Sequence, residues 1–240
     1  MKKIFLFITV ILLVSCSNKT QNDIQIYGAL SEIMHGGARD GVIALTEVLS
    51  EDHIYGLGSM ENLDGEILII DSHLLINRAK AGESPTYQTM AKNETKALLL
   101  VSTTVKSWKS ISVDSGSNYN SIDALIKHEA EKAGINTEKP FPFIIEGKFN
   151  QLEWHIISPQ DKDGSHDDHL AKSWKRKDSN IEGKILGFYS EEHQTIFTHH
   201  SRFSHMHIWY EAENLSGHID DLLISDNWIL SVPRSEERRV

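Results

Sequence analysis

Two histidines one residue apart, His205 and His207, are the side chains of this sequence with the clearest potential to hold a metal ion. They lie in Ser204–Tyr210, which the alternation of polar and apolar residues predicts to be a strand. Successive side chains of a strand point to opposite faces, so the two imidazoles share one face about 7 Å apart at the backbone. Met206 and Ile208 share the other face, which is apolar enough to be the core side.

His218 is the third candidate ligand, eleven residues beyond His207. The intervening residues include Ser216 and Gly217, which favour turns. A hairpin centred between residues 212 and 213 would place His218 directly opposite His207, with side chains about 5 Å apart. Three imidazoles with an open fourth position are typical of a catalytic zinc site. The spacing also suits a cupin-like dioxygenase or a carbonic-anhydrase-like hydratase.

Asp220 lies two residues beyond His218 and is expected on the same face of its strand. There it is a candidate acceptor that orients the ring of a metal ligand. The chain has thirteen histidines in all, and three of those near the motif are predicted to lie at the surface or behind the ligands. These three are His193, His199 and His200.

The elements that must position these side chains form an α+β pattern. Buried strands are predicted at Glu66–Ile70 and 97–105, a tight passage at 56–58, and a helix from about 120 to 133. We expect an N-terminal α/β part at 24–139, a β-rich metal-binding part at 140–233 and a short tail at 234–240. The predicted strands of the second part are 143–149, 152–157, 183–189, 195–199, Ser204–Tyr210, 218–224 and 228–232.

The N-terminus predicts export. Lys2 and Lys3 precede an apolar run at 4–14, which is too short to remain as a membrane-spanning helix. The small residue Ser15 then precedes Cys16, an order that resembles a bacterial lipoprotein signal. An ordinary secretory signal followed by an incidental cysteine is the alternative.

Under the lipoprotein interpretation, residues 1–15 are removed and Cys16 carries lipid at the start of a polar tether, 16–23. The domain would then lie in the periplasm or at the cell surface, held by its acyl chains. Cys16 is the only cysteine, so no intrachain disulfide can form and any metal ligands are His, Asp or Glu. The formal charge of −10 argues against binding to nucleic acid.

Four segments in a fixed order carry a family resemblance. They are the Gly-Leu-Gly-Ser to Leu-Asp-Gly-Glu stretch at 56–66, Ile-Glu-Gly-Lys-Phe at 145–149, Gly-Lys-Ile-Leu-Gly-Phe at 183–188, and the histidine motif at 205–221. Together they resemble the acetolactate decarboxylases, and the likeness spans roughly 25–233.

The resemblance implies a mixed β-sheet in the first half packed against a largely antiparallel sheet in the second. It implies Zn²⁺ on His205, His207 and His218. Glu66 would reach the metal site from the first half, and Ser59 stands where the family has threonine. The implied reaction is decarboxylation of 2-acetolactate, a 2-hydroxy-3-keto acid, to acetoin.

The sequence departs from the family pattern at His155, where an arginine near the substrate is expected. Histidine can donate a hydrogen bond or bind metal, but it lacks the planar fork of arginine. The family also has a glutamate in its C-terminal tail. Glu236 and Glu237 lie near the end of this sequence, but the residues that flank them do not match the family pattern. These departures leave two alternatives open, a different small-molecule metalloenzyme or a non-catalytic zinc-binding lipoprotein. A homodimer is also compatible with the sequence.

Overall fold

The computed structural model describes residues 23–159 and 171–234. The predicted signal peptide, Cys16, the tether up to residue 22 and the tail from residue 235 lie outside the described residues. Within the part of the chain that the structure describes, no helix has the length and apolar character needed to cross a bilayer.

The first sheet has seven strands, in the order β1-β7-β3-β4-β5-β6, with β2 also paired to β7. Two short helices, α1 (Leu30–Met34) and α2 (Leu45–Val48), interrupt its first strands. The strands are β1 (Gln25–Tyr27), β2 (Ile43–Ala44), β3 (Ile54–Met60), β4 (Glu66–Ile70), β5 (His73–Arg78), β6 (Thr86–Gln88) and β7 (Lys96–Thr104).

Strand β3 lies at the centre of this sheet, and every one of its residues is buried. The predicted tight passage at 56–58 lies within this strand. A Cβ atom on Gly58 would lie 1.9 Å from the carbonyl oxygen of Leu99 on β7. Glycine is needed here because the two backbones approach too closely for any side chain.

The second sheet has eight strands, in the order β8-β15-β10-β12-β13-β14-β9, with β11 paired to β10. The helix α3 (Ile122–Lys132) precedes its longest strand, β10. The strands are β8 (Trp108–Val113), β9 (Ser117–Asn118), β10 (Phe141–Ile156), β11 (Trp174–Asp178), β12 (Ile181–Tyr189), β13 (Ser204–Tyr210), β14 (Leu215–Ile224) and β15 (Trp228–Pro233).

Strand β10 joins what the sequence predicts as two strands, 143–149 and 152–157. Its first part pairs with β12 and its second part with β14, with register shifts near Phe149 and Glu153. Because β12, β13 and β14 also pair in succession, these four strands close on one another. The closed arrangement brings the second half of β10 beside the histidine strands.

The two faces of the second sheet pack against different partners. One face forms the largest core with α3, whose Ile122, Ile126 and Ala130 are fully buried. The other face packs against the first sheet, where Leu186 and Phe188 join a second apolar cluster. The predicted helix and its buried face are therefore confirmed, and the three candidate metal ligands lie on the side that faces the first sheet.

Two expectations need correction. All described pairs of the first sheet are antiparallel, where a mixed sheet was expected. Strands β3 to β6 are neighbours joined by short connections, and such connections produce antiparallel pairs. The chain passes between the sheets at 105–107, not at 139–140, since β8 and β9 pair with β15 and β14. The α+β class and its two packed sheets are otherwise as predicted.

Candidate metal centre

The β13–β14 hairpin places His207 directly opposite His218, in the predicted register. The turn consists of a 3-10 segment, Glu211–Glu213, followed by Asn214 in the left-handed conformation with φ of 51°. Asparagine tolerates this conformation better than most residues with a side chain. His205 lies two residues before His207 and therefore shares its face.

The three imidazoles converge. One ring nitrogen from each of His205, His207 and His218 lies within 4.8 Å of the other two. His205 is 7% exposed and His207 is fully buried. Nδ1 of His205 and both ring nitrogens of His207 have no hydrogen-bond partner within the described residues. Buried nitrogens without partners are costly, so this donor set fits a ligand that accepts lone pairs, such as a metal ion.

The protonation state of the three rings also suits a metal. Burial lowers the pKa of His205 to about 4. Burial, followed by the charge of the neighbouring histidines, holds the pKa values of His207 and His218 well below the usual range. The rings are therefore neutral near pH 7, which is the form that coordinates metal.

Glu66 and Ser59 reach this centre from the first sheet. They are paired across β3 and β4, and both are buried. Oε2 of Glu66 lies 3.5 Å from Nε2 of His207, and Oε1 accepts a hydrogen bond from the backbone N–H of Ile157 at 3.2 Å. Burial raises the pKa of Glu66 to about 7, against the opposing charge of His155. The Ser59 hydroxyl has no partner within the described residues.

His155 lies on β10, opposite His218. The ring centroids are 5.1 Å apart. Gly217 permits this approach, since a Cβ atom there would lie 2.4 Å from the His155 carbonyl oxygen. The structure thus brings all six predicted site residues of the folded domain to one place, although His155 is not part of the converging triad.

Asp220 serves a different ring from the one expected. Its two carboxylate oxygens lie 2.8 and 3.0 Å from Nδ1 of His155, so it orients His155 and not a ring of the triad. The reason is a register shift in β14, where Asp220 is an extra residue between the pairs Glu153–Asp221 and Trp154–Ile219. Burial lowers the pKa of His155, but the hydrogen bond and charge of Asp220 and the charge of Glu66 leave it raised.

A cavity of about 380 Å³ opens beside the triad. This volume falls within the ~300–1,000 Å³ range of small-molecule sites. Its walls are mostly apolar, and they contain no lysine or arginine among the residues that the structure describes. The apolar walls come from Leu30, Ile33, Met34, Leu63, Leu99, Ile157 and Phe197.

The predicted strand at 195–199 is wrong, since this segment is a loop over the cavity. Thr195 has a positive φ of 64°, and three consecutive backbone N–H groups at 196–198 converge on the carbonyl of His193. Such a tight turn overrides the strand preference of the threonine and aromatic residues. The loop is fixed to α1, because Leu30 and Ser31 donate to its carbonyls.

Several cavity residues were missed or misplaced by sequence reasoning. His199 and His200 line the cavity together with His35, while His193 hydrogen-bonds Ser190 and stacks on Phe197. The doublet at 199–200, so near the metal motif, was a signal for this position. Tyr119 also lines the cavity, and no sequence pattern pointed to it.

The chain therefore combines two packed antiparallel sheets with three converging histidines that could hold a metal ion beside a cavity. A family model described as alpha-acetolactate decarboxylase matches residues 24–236. The chain belongs to the alpha-acetolactate decarboxylase family.

Solved structures agree at the level of the fold. The chain is similar to alpha-acetolactate decarboxylase from Bacillus subtilis strain 168, with a TM-score of 0.69, 18% identity and coverage of 88% of this chain and 86% of the other. It is also similar to a Staphylococcus aureus protein of unknown function that resembles alpha-acetolactate decarboxylase, with a TM-score of 0.66, 18% identity and coverage of 89% and 86%. Comparison with curated protein sequences gives no match.

Proposed function

We propose that this protein is a zinc-dependent carboxy-lyase that converts 2-acetolactate, or a closely related 2-hydroxy-3-keto acid, to the hydroxyketone. The observation that carries the proposal is the convergence of three neutral imidazoles beside a cavity that also contains Glu66, with both ring nitrogens of His207 lacking a partner within the described residues. His205, His207 and His218 would hold the metal. When bound, zinc supplies a Lewis acid that polarises the oxygen atoms of the substrate.

The reaction breaks the bond between the carboxylate and its carbon, releases carbon dioxide and leaves an electron pair that must take up a proton. Glu66 is suited to deliver that proton. Its Oε1 is fixed by the Ile157 backbone N–H, so Oε2 is oriented toward the centre. A positioned acid of this kind contributes about 10²–10⁴-fold to a rate.

Ser59 and His155 would orient the substrate. Within the described residues the Ser59 hydroxyl has no partner, and Ser59 lines the cavity, so the hydroxyl can donate to a substrate oxygen. His155 is fixed by Asp220, and it lines the cavity where the family's arginine is expected. The apolar walls exclude water, which strengthens these polar contacts.

The direct test is incubation of the purified, zinc-loaded protein with racemic 2-acetolactate, followed by measurement of acetoin. Release of acetoin should require zinc and should fall about 10²–10⁴-fold in Glu66→Gln with unchanged zinc content. Glu146→Gln is the matched control, since Glu146 forms a partly exposed ion pair with Lys184 away from the cavity. Absence of zinc-dependent acetoin release would contradict the proposal.

A second candidate function is a different metal-dependent reaction of a small acid on the same scaffold. His155 in the arginine position, together with a described cavity wall that contains no lysine or arginine, favours this candidate. Profiling of 2-hydroxy and 2-keto acids would support it if 2-acetolactate were inert and another acid reacted. A zinc-loaded protein that turned over none of these acids would favour the non-catalytic zinc lipoprotein.

We also propose that the protein is exported and anchored through lipid on Cys16. The support comes from the sequence alone, namely the basic start, the short apolar run and the single cysteine. Cell fractionation with labelled fatty acid tests it. Label and membrane association should both be lost in Cys16→Ser, and a soluble, unlabelled wild-type protein would contradict the anchor.

A further inference from the structure

Tyr119 contacts the cavity from a position outside the metal hairpin. It follows the short strand β9 and precedes α3, and it lines the cavity together with Ser204 and His205. The guanidinium carbon of Arg202 lies 4.0 Å from the centre of this ring. An arginine at this distance attracts the face of the ring and restrains its orientation.

A buried acid fixes that arginine in turn. Asp123 and Arg202 form an ion pair at 3.3 Å, and both residues are more than nine-tenths buried. Asp123 also accepts hydrogen bonds from the Phe203 backbone N–H and the Ser204 hydroxyl. Nε and Nη2 of Arg202 have no hydrogen-bond partner within the described residues. The charge of Asp123 and the face of Tyr119 therefore hold the cation.

The hydroxyl of Tyr119 has only a weak partner. It lies 3.5 Å from the carbonyl oxygen of Ile219, which is the outer limit for a hydrogen bond. Ile219 separates His218 from Asp220, so the hydroxyl lies beside the part of β14 that carries one of the candidate ligands. Burial raises the pKa of Tyr119 to about 12, and the phenol is therefore a neutral donor at neutral pH.

A carboxylate in this cavity needs hydrogen-bond donors, because burying an unpaired anion is costly. The described wall offers no lysine or arginine, and Nδ1 of His155 is already paired with Asp220, so the Ser59 hydroxyl and the rest of the His155 ring leave room for a further donor. A phenol held in a fixed orientation is a suitable donor for one carboxylate oxygen, and hydrogen bonds to charged groups are the stronger ones.

We infer that Tyr119 binds the substrate carboxylate through its hydroxyl, and that the Asp123–Arg202 pair is the positioning device for its ring. The inference rests on the proposed function for the identity of the substrate. The contacts that support it apply to any 2-hydroxy acid that enters the cavity.

The first experiment compares the wild type with Tyr119→Phe, both loaded with zinc. The ligand for titration calorimetry is 2-hydroxy-2-methylbutanoate, which has the carboxylate but no ketone. Its Kd should be about 10- to 100-fold higher for Tyr119→Phe than for the wild type, because the variant loses a charge-assisted hydrogen bond. The Kd for acetoin, which has no carboxylate, should change less than about twofold. For 2-acetolactate, the KM should rise more than kcat falls.

Tyr189→Phe is the matched control, because the Tyr189 hydroxyl contacts Glu191 outside the cavity. It should leave both dissociation constants unchanged. Equal zinc content and equal thermal unfolding midpoints of all three proteins would show that only the hydroxyl is being compared.

Arg202→Lys tests the positioning role. It keeps the charge near Asp123 but removes the planar cation, so it should weaken binding of 2-hydroxy-2-methylbutanoate by a few fold. In the Tyr119→Phe background the same substitution should have no further effect. An equal effect in both backgrounds would overturn the positioning role.

The remaining outcomes also decide the inference. Unchanged binding of the acid by Tyr119→Phe, or equal weakening for the acid and acetoin, would overturn it. No binding of the acid by the wild type would overturn it as well. A wild type that binds the acid through Tyr119 but releases no acetoin from 2-acetolactate would support the inference and contradict the proposed function.

Discussion

The two faces of the β13–β14 hairpin bury residues of opposite chemical character. On the core face, Met206, Ile208 and Ile219 are buried among apolar side chains and α3. On the cavity face, His205 and His207 are buried to a similar degree, but Nδ1 of His205 and both ring nitrogens of His207 lack partners within the described residues. The core face therefore stabilises the folded protein, whereas the unpartnered nitrogens of the cavity face destabilise it until a ligand binds.

Polar groups show the same contrast. Asp178, at the edge of the core face, accepts hydrogen bonds from the Trp154 indole, the Tyr210 hydroxyl and Arg176, each at 2.9 Å. The ring of His207 has no hydrogen bond to any of the described residues, and Glu66 lies 3.5 Å away, outside hydrogen-bond geometry. A structural polar group is satisfied by the protein itself, and a binding group is left for something else. On this hairpin, the described buried nitrogens that lack partners therefore lie on the face of His205 and His207.

The largest effect is expected from His207→Ala on the cavity face. Removal of one of three ligands should lower zinc affinity and acetoin release by more than about 100-fold, which is the upper range for loss of a group that only supports a ligand. Metal analysis of the dialysed protein and the acetoin assay measure these effects. Retention of one zinc per chain would contradict the assignment of the triad.

The next largest effect is expected from Ile208→Ala on the core face, one residue beyond His207. Ile208→Ala should lower the free energy of unfolding by about 2–5 kcal/mol, because it leaves a cavity beside α3. Zinc content per folded chain should not change. Urea denaturation and metal analysis test the pair of outcomes, and loss of zinc from folded Ile208→Ala would show that the two faces are coupled.

A smaller effect of opposite sign is expected from His207→Leu in the metal-free protein. Leucine replaces two unpartnered buried nitrogens with apolar atoms, so the free energy of unfolding should rise by about 1–3 kcal/mol. Urea denaturation of chelator-treated wild type and variant measures the difference. A less stable variant would indicate that the ring already has partners in the metal-free state.

The smallest effect is expected at Asp178, through pH. Burial alone would raise the pKa of Asp178, but the hydrogen bonds from Trp154, Arg176 and Tyr210 outweigh it and lower the pKa below 3.8. A lowered folded pKa means that the stabilisation is present above 3.8 and is lost as pH falls through the lower value. Asp178→Asn should therefore cost about 1 kcal/mol at pH 7. The difference from the wild type should shrink below pH 3.8, and a difference that does not depend on pH would contradict this account.

Sequence reasoning located the centre because strand periodicity and a hairpin register are local properties. The turn residues between His207 and His218 predicted that these two histidines lie opposite each other. The alternation of polar and apolar residues along the strand predicted that Met206 and Ile208 face the core. The family resemblance supplied Glu66 and Ser59, which no local pattern connects to the hairpin. Their place beside it depends on sheet packing.

The missed features depend on long-range contacts. Tyr119 reaches the cavity only because β9 pairs with the end of β14. The loop at 195–199 resembles a strand in composition, but its backbone is held by His193 and by α1. Asp220 was assigned to the wrong ring because the bulge that displaces it depends on pairing with β10. The alternation of side chains along one strand cannot predict a bulge, because a bulge depends on pairing with the neighbouring strand.

That inserted residue has a consequence for how the protein tolerates change. Loss of one residue from a strand normally turns all following side chains to the wrong side of the sheet. Asp220 is flanked by the regular pairs Glu153–Asp221 and Trp154–Ile219, so its deletion would restore simple alternation and keep Leu222 and Ile224 inside. A single-codon deletion here could remove the acceptor of His155 and still leave a foldable chain.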